Sequence, residues 1–307
     1  MKKKFYDVVG MGLNAVDFLC IVPHYPKFNT KVEMLEFNKQ GGGQIATAMV
    51  ALSRWGISTS YIGKVGDDDL GKFTIQELRK EKVDIKNIVI EKGTTSQFAF
   101  IFIDKKSGER TIVWKREDKT HLRPSDIKKE DITAGYILHL DGHEIEAALQ
   151  GAKWAKEEGI RIVLDAESTK KGTDKLIRLT DVLITSEDFP KKFLGITDLK
   201  KALKEMHAMG PEIVIITRGK KGAVALAKKE YIKSAGFPVK TKDTTGAGDV
   251  FHAGFIYGLI KRWSINKTLL LANASAALKC RELGGRKGIA SLKEINSFLK
   301  QKNKIVF

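Results

Sequence analysis

Short runs of β-branched residues alternate with amphipathic stretches along nearly the whole chain, and this alternation restricts the fold more than any other feature of the sequence. Such alternation is typical of a parallel sheet whose strands are joined by crossover helices. No internal repeat, low-complexity tract or linker divides the 307 residues. We therefore expect a single α/β domain over residues 1–307, built on a central, mostly parallel sheet.

The individual elements can be placed from the same pattern. Strands are predicted at 5–12, 58–65, 135–140, 161–165, 181–184 and 212–217. Helices are predicted at 42–55, 144–158, 199–209, 246–261, 265–282 and 291–300. The chain therefore changes character in its last third, where three helices follow one another without a strand between them.

One segment departs from this order. Residues 97–104 and 109–114 form a hairpin pattern around a turn at 105–108. The first strand of the hairpin is apolar on both faces, with Phe98, Phe100 and Phe102 on one and Ala99, Ile101 and Ile103 on the other. Both apolar faces of such a small sheet must be buried against something. We therefore expect a lid that meets substrate or core on one face and a second subunit of a homodimer on the other. An ordinary buried strand is the alternative.

The composition adds a strong positive charge. The chain carries 54 Lys and Arg residues against 37 Asp and Glu residues, a formal net charge of +17, which favours a polyanion or a phosphorylated small molecule as partner. Acidic residues are interspersed among the basic ones, and the sequence has no basic block with interleaved aromatic residues and no zinc-finger or RNA-recognition motif. We therefore expect a solvated basic surface and no nucleic-acid partner.

Cysteine usage and hydropathy indicate the compartment. Cys20 and Cys280 are the only cysteines, too few for a disulfide framework and without the spacing of a zinc site. No segment approaches the roughly 20 apolar residues that a membrane-spanning helix needs. We expect a soluble, cytoplasmic protein with reduced thiols and no membrane partner.

The strongest chemical signal is the run Asp243-Thr244-Thr245-Gly246-Ala247-Gly248-Asp249, which precedes an apolar helix. Small residues at a helix start leave backbone N–H groups uncovered, and the helix dipole adds partial positive charge there. Such a position can hold a phosphoryl group during its transfer, with residues 246–248 supplying the amides. Asp249, in the first turn, can accept a proton from an attacking hydroxyl. The alternative is a tight turn with a favourable first-turn carboxylate.

On this run the sequence resembles the ribokinase, or PfkB, family of carbohydrate kinases, and the resemblance covers essentially the whole chain. Further matching segments are Gly10-Met11-Gly12-Leu13-Asn14-Ala15-Val16-Asp17, Gly41-Gly42-Gly43, Gly63-Lys64-Val65-Gly66-Asp67-Asp68 with Gly71, and Thr217-Arg218-Gly219 with Gly222. The resemblance implies a ribokinase-like fold, with a large α/β domain and a small β-sheet lid formed by insertions near 14–40 and 94–118. It also implies ATP-dependent phosphorylation of a sugar hydroxyl, with Asp249 as base and Gly246, Ala247 and Gly248 as anion hole.

The acceptor site is expected where the first strand ends. Asn14 and Asp17 follow that strand, and loops at the carboxyl ends of parallel strands bind ligands in α/β proteins. An ionised Asp17 can accept hydrogen bonds from two vicinal hydroxyls, whereas a plain turn aspartate is the alternative. Gly42 and Gly43 let the backbone approach a sugar closely.

Three longer side chains complete the expected acceptor site. Gln44 and Thr47 lie on the helix after the glycine run and can hydrogen-bond a sugar. The family usually has Asn at the position of Thr47, so one sugar contact differs in this chain. Arg110, on the second lid strand, would pair with the anionic group of a sugar phosphate or sugar acid, because a buried anion needs a cation. Plain surface charge is the alternative for Arg110.

The resemblance also implies ATP and Mg²⁺ as cofactors. Thr217, Gly219 and Gly222 match the family's nucleotide-phosphate contacts, and Asn273 falls where the adenine pocket is walled. The family's Asn-x-x-Glu motif is replaced by Ser186-Glu187-Asp188-Phe189, as in the ketohexokinase-like branch. Mg²⁺ would then be held mainly by nucleotide phosphates and water, with Glu187 helping without direct coordination.

A monovalent-cation site is expected beside the anion hole. Asp243 and Thr245, with the loop 284–288, match the position where some family members bind such an ion, K⁺ for example. A plain helix-terminating loop is the alternative, because glycine after a helix is a good C-cap.

Three other functions fit part of the same evidence. A kinase of this family that acts on a nucleoside or another non-sugar acceptor shares the motifs named above. A catalytically idle protein that binds nucleotide or metabolite keeps the fold, although the intact Asp17 and Asp249 argue against it. A nucleic-acid binder predicts duplex binding that weakens steeply with salt. We expect a sugar or sugar phosphate as the partner.

Overall fold

A computed structural model of the chain describes residues 4–304 and contains two β-sheets with helices around them. The strands are β1 Tyr6–Met11, β2 Ala15–Val22, β3 Glu36–Gly42, β4 Thr59–Gly66, β5 Ile88–Glu91, β6 Phe98–Asp104, β7 Arg110–Lys115, β8 Gly135–Leu140, β9 Arg161–Ala166, β10 Val182–Ser186, β11 Ile213–Thr217, β12 Ala223–Ala227 and β13 Glu230–Ser234. The helices are α1 Gln44–Arg54, α2 Asp69–Lys80, α3 Lys129–Ile132, α4 Ile145–Glu157, α5 Thr173–Leu179, α6 Phe189–Leu194, α7 Leu199–Ala208, α8 Ala247–Ile260, α9 Ile265–Lys279 and α10 Leu292–Gln301. Residues 1–3 and 305–307 of the predicted domain lie outside the described residues.

The larger sheet has nine strands in the order β13-β12-β11-β10-β9-β8-β1-β4-β5. In that order the strands from β11 to β5 pair in parallel, whereas β12 and β13 pair antiparallel at one edge. The six strands predicted from the α/β alternation all lie in this sheet. The prediction of an α/β fold with a central, mostly parallel sheet is therefore confirmed.

Both faces of this sheet are buried, as a sheet with helices on each side requires. Val8 of β1 belongs to an apolar cluster with residues of α1, α8 and α9, whereas its neighbour Val9 belongs to a second cluster with residues of α4 and α7. Successive strand residues point to opposite faces, so a continuous apolar run such as 213–216 supplies both clusters. This explains why the strands are short apolar runs in the sequence.

The helices begin in two different ways. Side-chain oxygens cap the first turns of α2, α7, α9 and α10; the hydroxyl of Ser264, for example, accepts from an amide of α9. Helices α1 and α8 begin at Gly43 and Gly246, and no side chain caps either of them. Both of these glycines line the same cavity, so the two helices start beside it without a capping side chain.

The second sheet has the order β3-β2-β6-β7 and is formed by residues 15–42 and 98–115. On its inner face Leu19 and Ile101 pack with Leu283 in a small apolar cluster. On its outer face Phe18 stacks on Phe100, with ring centroids 5.1 Å apart, and Phe100 is 41% exposed. Of the two apolar faces predicted for β6, one is therefore covered by this chain and the other is open among the described residues.

Helix α8 is buried from Val250 through Gly258 and packs along α9. The two helices approach closely at Gly254, where an added Cβ would lie 2.8 Å from the Cα of Ala272. This contact fixes the direction of α8 and, with it, the position of Asp249 in its first turn. Although α8 is strongly apolar, no helix among residues 4–304 combines the length and apolar character needed to cross a membrane.

We predict that Gly254→Ala destabilises the protein by roughly 1–3 kcal/mol, because the new methyl group overlaps the α9 backbone and forces the two helices apart. Gly151→Ala in α4 is the matched control, since the atoms nearest its methyl group would belong to side chains, Cε of Met11 at 3.0 Å and Cδ1 of Ile132 at 3.4 Å. It should leave stability unchanged or slightly raised. Urea denaturation followed by circular dichroism measures both. Equal stability of the two variants would contradict the close packing of α8 on α9.

Candidate active site

A cavity of about 500 Å³ lies between the carboxyl ends of the parallel strands and the inner face of the second sheet. Half of the residues singled out from the sequence line it: Asp17, Gly43, Gln44, Arg110, Thr217, Thr245, Gly246, Gly248 and Asp249. The other half do not line it: Asn14, Gly42, Thr47, Glu187, Gly219, Gly222, Asp243, Ala247 and Asn273. One cavity thus gathers residues from both ends of the chain.

The start of α8 forms one end of this cavity. Gly246 has a φ of 75°, a left-handed conformation that favours glycine, and an added Cβ would lie 2.6 Å from the Cα of Gly285. Gly248 has no atom within 4 Å of the position that a Cβ would take, so its backbone is open to the cavity. The N–H of Ala247 donates to the carbonyl of Thr244 at 3.2 Å. The open backbone at this end therefore belongs to Gly246 and Gly248.

The turn before α8 is held by the buried side chain of Asp243. Its Oδ1 accepts hydrogen bonds from the N–H of Thr245 at 2.8 Å and from the hydroxyl of Thr245 at 2.7 Å. Its Oδ2 accepts from the N–H of Gly284 at 2.7 Å. One carboxylate thus joins the turn before α8 to the loop after α9.

Asp249 lies half-buried at the same end of the cavity, in the first turn of α8. Burial raises the pKa of its carboxyl well above the ordinary value, and the negative charges of Asp165 and Glu167 raise it further. The positive charge of Arg110 acts in the opposite direction. A carboxylate with a raised pKa is a stronger base once ionised, so Asp249 is suited to accept a proton from a bound group.

Asp17 reaches the cavity from β2, opposite α8. The side chain is buried, and this burial raises the pKa of Asp17 to about 6, although the positive charge of Arg286 opposes the shift. An added Cβ at Gly42 would overlap the Asp17 carboxylate, so only glycine leaves room for it. Arg286 donates from Nη2 to the carbonyl of Gly42 at 2.8 Å and thereby fixes the glycine run beside Asp17.

Several polar groups around the Asp17 end have no hydrogen-bond partner among residues 4–304. Oε1 of Gln44, Oε1 of Gln97 and Nε2 of His143 are buried in this way on residues that line the cavity. Both amide atoms of Asn14, which lies against Gly43, share this property. A buried polar group without a partner costs about 1–3 kcal/mol, so their concentration here indicates a ligand with several hydroxyl groups.

Two further carboxylates, which the sequence analysis did not single out, line the cavity. Asp165 lies at the end of β9 and Glu167 directly follows the strand. Nε2 of Gln44 donates to Asp165 at 3.3 Å and to Glu167 at 2.7 Å. Burial raises the pKa of Asp165 well above its ordinary value. Their position at the carboxyl end of a predicted parallel strand is the signal that would have identified them.

His252 lies one turn after Asp249 and also lines the cavity. Its Nδ1 is 3.2 Å from Oδ2 of Asp165, yet neither ring nitrogen makes a hydrogen bond within the described part of the chain. Burial lowers the pKa of His252 to about 3, so the ring is neutral and the contact is no ion pair. His252 therefore lies beside Asp165 without adding charge to the cavity.

Arg110 connects the second sheet to the α8 end of the cavity. Its Nη1 donates to the hydroxyl of Thr244 at 2.9 Å, and the N–H of Thr244 donates to the carbonyl of Gly108 in the hairpin turn at 3.4 Å. The arginine predicted for the acceptor thus lies against the turn before α8, where its charge acts on both Asp17 and Asp249.

The residues predicted for a nucleotide lie at the end of β11, in the turn after it and on α9. Thr217 ends β11, lines the cavity and donates from its hydroxyl to the carbonyl of Thr185 at 3.1 Å. Gly219 and Gly222 form the turn that follows. Asn273 is buried and donates from Nδ2 to the hydroxyl of Ser234 at 2.8 Å, which ties α9 to β13.

Glu187 lies at the end of β10, beside Thr217. Its carboxylate is 3.2 Å from Nε of Arg218 and 3.9 Å from Nζ of Lys221, so it is paired with two cations. Within residues 4–304, no group of three or more His, Cys, Asp or Glu side chains is arranged to hold a metal ion. A Mg²⁺ ion at this site would therefore need phosphate and water oxygens for most of its ligands.

The chain is similar to known carbohydrate kinases over nearly its whole length. The family model described as pfkB family carbohydrate kinase matches residues 7–291. The 5-dehydro-2-deoxygluconokinase of Geobacillus kaustophilus is 28% identical over 324 residues, which cover 98% of this chain and 95% of the relative. The ribokinase of Haemophilus influenzae is also 28% identical, over 97% of this chain and 99% of the relative. Two relatives named for different sugars are thus equally similar.

The fold is shared with solved structures. The crystal structure of a candidate ribokinase from E. coli, in complex with ATP and Mg²⁺, superposes with a TM-score of 0.87 at 22% identity. The similarity covers 97% of this chain and all of that one. The expectation of a ribokinase-like fold, with a large α/β domain and a small second sheet, is therefore confirmed.

We predict that Asp165→Asn lowers the pKa of Asp249, because it removes the negative charge that contributes most to raising this pKa. Glu167→Gln should lower this pKa by a smaller amount. The measurement is the pH dependence of the side-chain carboxyl ¹³C shift in protein labelled at aspartate, assigned with Asp249→Asn. Asp69→Asn, at a distant carboxylate that is 96% exposed, is the control. An unchanged or raised pKa in Asp165→Asn would refute the coupling.

Proposed function

The chain belongs to the PfkB family of carbohydrate kinases, and on this premise we propose that it transfers the γ-phosphoryl group of ATP to a hydroxyl of a sugar or sugar derivative. The observation that carries the proposal is that Asp17 and Asp249, from opposite ends of the sequence, line one cavity whose far end is the open start of α8. A polyol bound at Asp17 would present a hydroxyl to Asp249.

The acceptor binds at the Asp17 end of the cavity. Ionised Asp17 accepts hydrogen bonds from two hydroxyls. The unpartnered amide atoms of Asn14, and the unpartnered Oε1 atoms of Gln44 and Gln97, bond others. Gly42 and Gly43 keep the backbone close to the acceptor. Thr47 is fully buried and packs near Gly285, so it supports the helix start behind the acceptor.

Asp249 takes the proton of the acceptor hydroxyl as its oxygen attacks the γ-phosphorus. A bond forms between that oxygen and phosphorus, the bond to the bridging oxygen breaks, and ADP leaves with the electron pair. The amides of Gly246 and Gly248 stabilise the charge on the transferred group, whereas the predicted Ala247 amide is bonded to the Thr244 carbonyl. Arg110 adds a positive charge beside them. The second sheet acts as a lid that keeps water out of the cavity.

ATP lies along Thr217, Gly219, Gly222 and the face of α9 near Asn273. Mg²⁺, when bound, would neutralise charge on the phosphates during transfer, held by phosphate oxygens and water with Glu187 nearby. These contacts are supported by the family resemblance and by the position of Thr217 in the cavity lining.

The monovalent cation at Asp243 and Thr245 stays a prediction of the resemblance alone. The residues present fit it poorly, because both carboxylate oxygens of Asp243 accept hydrogen bonds and the ammonium of Lys279 donates to the Asp243 carbonyl. A cytoplasmic location and the absence of a nucleic-acid partner also remain predictions from composition.

An acceptor panel tests the proposed activity. Free and phosphorylated ketoses and aldoses, sugar acids and nucleosides are compared at equal concentration by coupled ADP release. We expect turnover with at least one sugar or sugar derivative, and with an acceptor identified, Asp249→Asn should lower kcat roughly 10²–10⁴-fold because the base is lost. ATP binding, measured by calorimetry, should stay unchanged.

Asp69→Asn serves as the control for the Asp249→Asn variant. Asp249→Asn should unfold at no lower temperature than wild type, because the amide avoids the cost of burying a charge. Wild-type turnover in Asp249→Asn would refute its role as base. Turnover with nucleosides only would identify a non-sugar kinase, and the absence of turnover with every acceptor would favour a catalytically idle binding protein.

We also propose a homodimer through the outer face of the second sheet. Phe37 is 54% exposed and Val113 58% exposed there, next to the stacked rings of Phe18 and Phe100. An apolar patch of this kind on a soluble domain marks an interaction surface. Continuity of the patch across all four strands of this sheet supports a sheet-to-sheet contact between two copies.

We predict that Val113→Lys converts a dimer into a monomer in sedimentation-velocity runs at micromolar concentration, because a buried lysine in the contact has no partner. Tyr136→Lys is the control, since Tyr136 is 62% exposed on the other sheet. A monomeric wild-type protein, or a dimer that survives Val113→Lys, would show that this face is not the contact.

A further inference from the structure

Lys279, the last residue of α9, is completely buried, although lysine is rarely so in proteins. Its Nζ donates a hydrogen bond to the backbone carbonyl of Asp243 at 2.9 Å. Burial lowers the pKa of Lys279, whereas the negative charge of Asp243 opposes this change. Burying an ammonium group is costly unless nearby oxygens and a negative charge compensate, and Asp243 supplies both kinds of group.

The ammonium lies where three chain segments meet. Asp243 begins the turn before α8, and its carboxylate also holds Gly284 of the loop after α9. Next to Lys279, the carbonyl of Cys280 accepts hydrogen bonds from the N–H groups of Lys242 and Asp243 at 2.8 and 3.2 Å. Residues 279–284 thus hold the turn before α8 by several contacts, and one of these contacts carries a positive charge.

A monovalent cation in the same place would meet two obstacles. The carboxylate oxygens of Asp243 are already occupied by N–H and O–H donors. A second positive charge near the Lys279 ammonium, in a buried region of low dielectric, would be strongly repelled. The residues therefore do not fit the ion that the resemblance implies at Asp243 and Thr245.

We infer that the ammonium of Lys279 takes the place of the monovalent cation: it supplies a fixed positive charge that holds the turn 243–246 in the conformation needed at the start of α8, so that the protein requires no K⁺. Lys279 is a positioning residue, because it acts on the open amides of Gly246 and Gly248 through Asp243. An alkylammonium group and K⁺ carry the same charge and both bind carbonyl oxygens, which makes the exchange chemically reasonable. The inference rests on the proposed kinase function only where turnover is measured.

The first test uses the wild-type protein. Its melting temperature, and its turnover with an accepted sugar, are measured in KCl, NaCl and choline chloride at equal ionic strength. We expect the same values in the three salts. A saturable rise in turnover or in melting temperature that KCl produces and choline chloride does not would overturn the inference, and the melting temperature needs no substrate.

The second test uses two variants of Lys279. Lys279→Ala removes the charge and leaves space, so turnover in choline chloride should fall roughly 10- to 100-fold and recover partly in KCl or methylammonium chloride. KCl should also raise its melting temperature more than choline chloride does. Lys279→Met removes the charge but fills the space, so its losses should not be rescued by either salt. Lys293→Ala, at an exposed lysine nearby, is the control.

The two variants separate a positioning charge from a lysine that only fills space. If Lys279→Met keeps wild-type turnover and melting temperature, the charge has no role and the inference fails. If Lys279→Ala gains nothing from KCl or methylammonium, in turnover or in melting temperature, the inference fails as well. Absence of turnover in the wild type with every acceptor would count against the proposed function, while the rescue of melting temperature in Lys279→Ala would still support the cation exchange.

Discussion

The whole candidate site depends on how the buried carboxylate of Asp243 fixes the start of α8. Its hydrogen bonds to Thr245 and Gly284 bring the turn before α8 against the loop after α9. Gly246 can then take a left-handed conformation in contact with Gly285, and the first turn of α8 opens into the cavity. Without these hydrogen bonds, the open amides and the Asp249 carboxylate would lose the support that gives them a common orientation.

A second constraint is the concentration of acids in a single buried space. Asp17, Asp165 and Asp249 all have raised pKa values, chiefly because burial disfavours the charged form. Ionised carboxylates here reduce the stability of the folded state, a cost typical of functional sites. Two positive charges offset part of the cost of ionising Asp17. Arg286 lies beside the glycine run, and Arg110 lies on the second sheet. The site therefore favours ligands that donate hydrogen bonds.

The sequence predicts the buried parallel strands well because each supplies apolar residues to both faces of the sheet and is therefore a continuous apolar run. It does not reveal β3 as a strand, since Glu36–Gly42 is a polar, glycine-ended stretch whose pairing with β2 comes only from the tertiary structure. Asp243–Asp249 is identifiable because its chemistry is local. The role of Lys279 cannot be identified from the sequence, because a lysine on a helix is ordinarily exposed. Only the three-dimensional fold shows that Asp243 lies beside it.

The contact of Arg110 with Thr244 joins the second sheet to the α8 end of the cavity. Because the arginine lies on β7, its charge reaches Asp249 only while the second sheet covers the cavity. That charge lowers the pKa of Asp249 and so favours the ionised base. Without Arg110 beside it, the carboxyl would favour its protonated form more strongly. Under the proposed function, closure of the second sheet over the cavity would therefore exclude water and favour the ionised base in the same movement.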